Sequence, residues 1–355
     1  MATTRDRPTG SKIRPRFARE LESPRLDLPS GKKIGAVLDV AVAPDGSYWL
    51  CHQPNAQGLE PEVDGASYWL PPIVHLSADD RFLDAWGGRD HVPAVDGISQ
   101  WPAALEGLEC DGEGNLWLFG YKEPPNEADS AVLKLSPKGE LLLRIGQRGV
   151  PGDDHDTSHL NAPTACYHDI ATREVFISDG YGNRRIIAFN SDTGAFTRMW
   201  GAYGKQPWEL TEAESYARPV HDVACGPDGH LYVSDRTKGR VQEFELIPGG
   251  ARFVREIWLA QGTSVFGTGA AWNVEFSPDG QYLYVGDGAN FRIWILDRES
   301  LEILGATTVH DEYEIEANRP IHFSLTHRFA VEPNGDMLLA CVNRGLRRLK
   351  FIGVS

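Results

Sequence analysis

The chain has 355 residues, 41% of them hydrophobic, with 37 Gly and 23 Pro. That is long enough to bury a substantial core and rich enough in turn residues to suggest short elements. A formal net charge of −15 argues against a nucleic-acid partner, because phosphate neutralisation needs a basic face. A small neutral or cationic ligand is easier to accommodate.

The opening "MATTRDRPTGSKIRPRFARE" is basic but lacks an apolar core, and no run reaches the length of a membrane span, so no membrane association and a cytoplasmic location are expected. The five cysteines are odd in number, and Cys110, Cys166 and Cys225 fall in apolar runs. They read as inert buried thiols.

Residues 1–13 read as a flexible lead, and the segment from 14 to about 34 as a strand that closes a ring. From Leu38 onward one hairpin recurs, at intervals of about 50–70 residues. Its copies are "LDVAVAPDG" from Leu38, "EGLECDGEG" from Glu106, "HDVACGPDG" from His221, "WNVEFSPDG" from Trp272 and "HRFAVEPNG" from His327. A further copy, "TACYHDIATREVF" from Thr164, has a longer turn without glycine.

Each copy runs into a second strand, such as "HLYVSDR", and most add a third and fourth, such as "IIAFNSDTGAFTRMWG". Alternating β-rich runs joined by Asp, Gly, Pro and Ser, with no long amphipathic helix between them, are hairpin grammar. The fold expected is all-β: a six-bladed β-propeller with four antiparallel strands per blade, spanning 14–355 as one domain. The last copy ends at "LRRLKFIGVS" without a fourth strand, so the N-terminal segment must cover that edge.

Long connections at 54–72, 89–104, 147–162, 202–219 and 306–326 lie on the face where first strands begin, which makes that face the candidate binding rim. First strands line the axis, so Leu38, Glu106, Thr164, His221, Trp272 and His327 form a ring of anchors. Glu106, His221 and His327 come from alternate blades, about 120° apart in a six-fold ring. One carboxylate and two imidazoles that converge with room for water suit a catalytic divalent metal. Second strands end near His52, Tyr121, Tyr181 and Arg236. Of these Tyr181 and Arg236 are candidates for catalysis, a phenol and a guanidinium beside a metal. His52, Tyr121, His159 and Trp272 are candidates for the substrate wall. Asp179, Asp235 and Asp287 read as repeat residues that bond loop amides.

The segments "LNAPTACYHDIATREVFISDGYGNRRIIAF" and "PVHDVACGPDGHLYVSDRTKGRVQEF" resemble NHL-repeat propellers, and among them the peptidyl-α-hydroxyglycine α-amidating lyases. The resemblance implies a zinc held by three histidines, a tyrosine in an "SDGY" segment as base and an arginine in a "DR" segment beside it. The matching positions are Glu106, in place of one histidine, then His221, His327, Tyr181 and Arg236. Gln53 stands where the family has an arginine, and Arg328 where it has an acid that helps hold a structural calcium. Both are kept as substrate-side candidates, and without the arginine a peptidyl-glycine substrate is not expected. A glutamate also lowers the charge at the metal and favours a harder ion than three histidines would.

The expected function is therefore a metal-dependent lyase or hydrolase acting on a small molecule at the channel mouth. It would hold one divalent ion, zinc first, with manganese, iron or calcium as alternatives. Trp69, Trp101, Trp208 and Trp272 would suit an aromatic substrate. Two other readings remain: a calcium-dependent lactonase-like hydrolase using Asp39, Glu106 and Asn273, or a non-catalytic NHL interaction platform. Oligomeric state is not legible.

Overall fold

The computed structural model describes residues 13–18, 21–53, 69–124, 128–260, 269–308, 326–342 and 345–355. Most of the expected lead, 1–12, and the greater part of two long connections, 54–68 and 309–325, lie outside them.

Among the described residues, five four-stranded antiparallel sheets and one three-stranded sheet follow one another in chain order, each built as a meander. Their first strands contact one another in sequence, and the sixth meets the first. This is the expected six-bladed β-propeller. Each hairpin turns tightly because the residue closing it can adopt a left-handed backbone: Gly46, Gly114, Gly229, Gly280 and Gly335 have φ between 68° and 90°. The third blade has no glycine there, and Arg173 takes φ 56° instead. Among the described residues no helix is long and apolar enough to cross a membrane.

The core lies between blades. Leu50 and Val74 of the first blade pack with Leu338 and Ala340 of the sixth, and Trp117 and Val132 of the second with Val175 and Ile177 of the third. Four cysteines are buried within these layers, Cys225 is half-buried, and all five are free.

The N-terminal segment supplies the missing edge. Pro15–Phe17 pairs antiparallel with Phe351–Val354, and Glu22 exchanges backbone hydrogen bonds of 2.9 Å with Arg348 on the third strand of the last blade. The chain start thus covers the edge that the final repeat leaves open.

Candidate metal centre

The anchors owe their direction to an irregularity repeated from blade to blade. The first strands starting at Ala36, Leu105, Val220 and Thr326 each skip one residue in the ladder with the second strand, and the skipped residues are Leu38, Glu106, His221 and His327. A β-bulge frees the extra residue from pairing. Both the anchor and the residue after it are thereby turned toward the axis.

Glu106 Oε1 lies 3.3 Å from His221 Nε2 and 3.3 Å from His327 Nε2. One ligand atom from each of the three lies within 4.8 Å of the others. All three residues are buried, His221 completely. His221 Nδ1–H donates to the Trp272 carbonyl at 2.6 Å and His327 Nδ1–H to the Leu38 carbonyl at 2.8 Å. A carbonyl only accepts, so these bonds place the ring proton on Nδ1 and leave an Nε2 lone pair on each neutral imidazole.

Two lone pairs and a carboxylate therefore face one another, and His221 Nε2 has no hydrogen-bond partner. Burial pushes His221 down to about 3, with the positive charges of Arg236 and Arg328 acting the same way against Glu106. Burial opposes ionisation of Glu106; only positive charge brought to this point, as the protonated His327 and His221 rings would bring it, outweighs burial and holds its carboxyl well below the usual range. Two nitrogens and a carboxylate oxygen with an orphaned buried donor atom fit a divalent cation. Among the described residues, two other clusters of ligand-type side chains are already neutralised: Arg173 reaches Glu113 at 2.7 Å beside Asp111 and His168. Arg255 and Arg298 reach Glu243 and Asp228 beside His230.

Above the triad, Tyr181 O–H donates to Glu106 Oε1 at 3.3 Å, and Arg236 Nη1 donates to the phenol oxygen at 3.3 Å. The Arg236 guanidinium lies 4.4 Å from the Trp272 ring. Burial and the nearby Glu106 carboxylate raise Tyr181 far above an ordinary phenol, and Arg236 offsets this only in part. The tyrosine rests as a proton donor. Asp179 and Asp235 deliver these two side chains: Asp179 accepts from Asn161 N–H and pairs with Arg185, and Asp235 accepts from Ala217 N–H and pairs with Arg240. Asp287 likewise accepts from Asn290 N–H. Their reading as repeat residues that bond loop amides is borne out.

The substrate-side candidates divide. Trp272 stands against the triad, its ring 5.8 Å from that of His221 and 5.9 Å from that of His327. Tyr121 is exposed with its ring 5.9 Å from that of Tyr181, and Gln53 Nε2 donates to the carbonyl of Leu105, next to Glu106. His159 is tied to its own loop through Asp156 at 3.0 Å, and its carbonyl accepts from Arg185. His52 is a correction: it is fully buried, Gly35 N–H donates to its Nδ1 and its Nε2–H donates to Pro71, so no edge is left for a substrate. Arg328 is another. It faces the channel below the triad, where its guanidinium donates to the carbonyls of Thr164 at 2.6 Å and His221 at 2.9 Å.

Residue types could not disclose the bulge, nor that the intervening blades contribute carbonyls. Leu38, Thr164 and Trp272 act through C=O groups, and every residue has one.

Fold and repeat together define a six-bladed β-propeller. No family model matches the chain. Its sequence is similar to peptidyl-glycine alpha-amidating monooxygenase of Mus musculus, 30% identical over 66% of this chain and 22% of that protein, so the match spans under a quarter of that relative. It is 30% identical to peptidyl-alpha-hydroxyglycine alpha-amidating lyase 2 of Drosophila melanogaster over 44% of this chain and 37% of that one. To NHL repeat-containing protein 3 of Mus musculus it is 26% identical over 61% and 55%. A solved streptogramin B lyase shares the fold, with TM-score 0.53 and 12% identity over 94% of this chain and 98% of that one.

Proposed function

We propose that the chain is a metal-dependent enzyme, a lyase or hydrolase, acting on a small molecule at the mouth of the channel. The observation that carries this reading is the convergence of two Nδ1–H imidazoles, their Nε2 lone pairs inward, on the Glu106 carboxylate. Similarity to amidating lyases supports it.

Glu106, His221 and His327 would hold one divalent ion, zinc first. Such an ion, when bound, polarises a substrate oxygen or lowers the pKa of a bound water. Tyr181 holds a proton at its phenol oxygen, where Arg236 fixes its orientation, and can deliver that proton to a leaving group. Trp272 and Tyr121 offer apolar faces that position a substrate and exclude water.

The calcium-dependent alternative is weakened at Asp39, whose carboxylate accepts from Val40 and Leu108 N–H and faces the Arg328 guanidinium at 3.4 Å; Asn273 keeps a buried Oδ1 without a hydrogen-bond partner while its Nδ2 donates to the Phe329 carbonyl. A binding platform remains testable, since it would tolerate loss of the triad. Elemental analysis of protein purified without chelators should find close to one divalent ion per chain, and Glu106→Gln or His327→Ala should abolish it. A metal-free protein that zinc, manganese and iron all fail to load would overturn the reading.

A further inference from the structure

We propose that Arg328 is a positioning residue for the metal centre: its guanidinium locks together the three strands that carry Glu106, His221 and His327. This rests on the metal-dependent reading above.

Arg328 follows His327 at the bulge, so the two successive side chains both project toward the axis. Its Nη2 donates across the channel to the carbonyl of His221 and to that of Thr164. Nη1 lies 3.3 Å from Asp222 Oδ1, the residue next to His221, and Nε 3.4 Å from Asp39 Oδ2, the residue next to Leu38. These carboxylates extend the lock. Asp39 Oδ2 accepts from Leu108 N–H at 3.1 Å, two residues past Glu106. Asp222 Oδ2 accepts from Val274 N–H at 2.8 Å, two residues past the Trp272 carbonyl that holds His221. Leu38, whose carbonyl holds His327, is Asp39's neighbour.

One buried cation thus touches the strand of each candidate ligand, directly or through a single carboxylate. Gly107 leaves the room this requires, because a Cβ there would stand 2.4 Å from Asp39 Oδ2. A lysine could supply the charge but not the planar fork that reaches two carbonyls and two carboxylates at once. Partners that hold metal ligands in place typically contribute about 10–100-fold in metal affinity.

The test compares wild type with Arg328→Met and Arg328→Lys. Zinc affinity is read by competition with a chromophoric chelator, and histidine tautomers by long-range proton–nitrogen NMR on metal-free protein. Expected are a loss in affinity of about 10–100-fold for Arg328→Met, a smaller loss for Arg328→Lys, and two rings that are pure Nδ1–H tautomers in wild type but mixed in the variants. Folded variants with zinc affinity within about threefold of wild type and unchanged ring signals would overturn the inference while leaving the metal reading intact. Should wild type bind no zinc, the metal reading fails and the tautomer comparison alone decides whether Arg328 aligns the rings. If Arg328→Met does not fold, Arg328→Lys carries both measurements.

Discussion

Tyr181 meets a carboxylate on one side and a guanidinium on the other, and burial with Glu106 prevails. A phenol so placed should resist ionisation through the range where ordinary tyrosines titrate, near pH 10. Absorbance titration from neutral pH to about 11 should give wild type and Tyr181→Phe the same phenolate yield; an extra phenolate in wild type near pH 10 would contradict this.

His52 makes a different pH prediction. Burial pushes it down to about 4, and a proton on Nδ1 would break the bond from Gly35 N–H. Its folded pKa lies below the unfolded value, so between about pH 6.5 and 4 the unfolded chain binds a proton that the folded chain refuses. The stability His52 contributes is present above that window and is lost as pH falls through it. The stability difference between wild type and His52→Gln should therefore shrink on acidification by roughly 1.4 kcal/mol per pH unit, measured by urea unfolding; a difference independent of pH would refute the assignment.

At the scale of elements, the propeller depends on a strand borrowed from the opposite end of the chain. Phe17 anchors it, with ring centroids 6.0 Å from both Tyr284 and Phe351 and an edge-to-face arrangement at each. Phe17→Ala should cost about 2 kcal/mol, below the 3–5 kcal/mol of a fully buried phenylalanine because Phe17 is only half-buried. Hydrogen exchange should show the last two strands, Gly345–Leu349 and Phe351–Val354, losing protection before the other blades. Uniform loss over all blades would mean that closure is not a local seam. The hairpins themselves were legible in "PDG" and "PNG", because a turn glycine acts within four residues. The closing strand was legible only as a vacancy at the other terminus.

For the whole molecule, the triad exists only because the ring closes with six sectors, which brings blades two, four and six to one point. An ion bound there stabilises the folded state alone: free zinc at about a hundredfold over its dissociation constant should add about 2.7 kcal/mol. The melting temperature of wild type should rise accordingly and that of Glu106→Gln should not; equal shifts would place the ion elsewhere.

The repeat period, the tight turns and the alternation of Glu, His and His among the anchors follow from the sequence by itself, since each is a local pattern repeated in register. Tertiary structure alone decided that His52 is sealed by backbone groups and that Arg328 lies beneath the triad instead of at the mouth. The same holds for the carbonyls of blades one and five that set the imidazole tautomers. These depend on a one-residue bulge and on groups more than fifty positions apart, and neither leaves a mark in residue type.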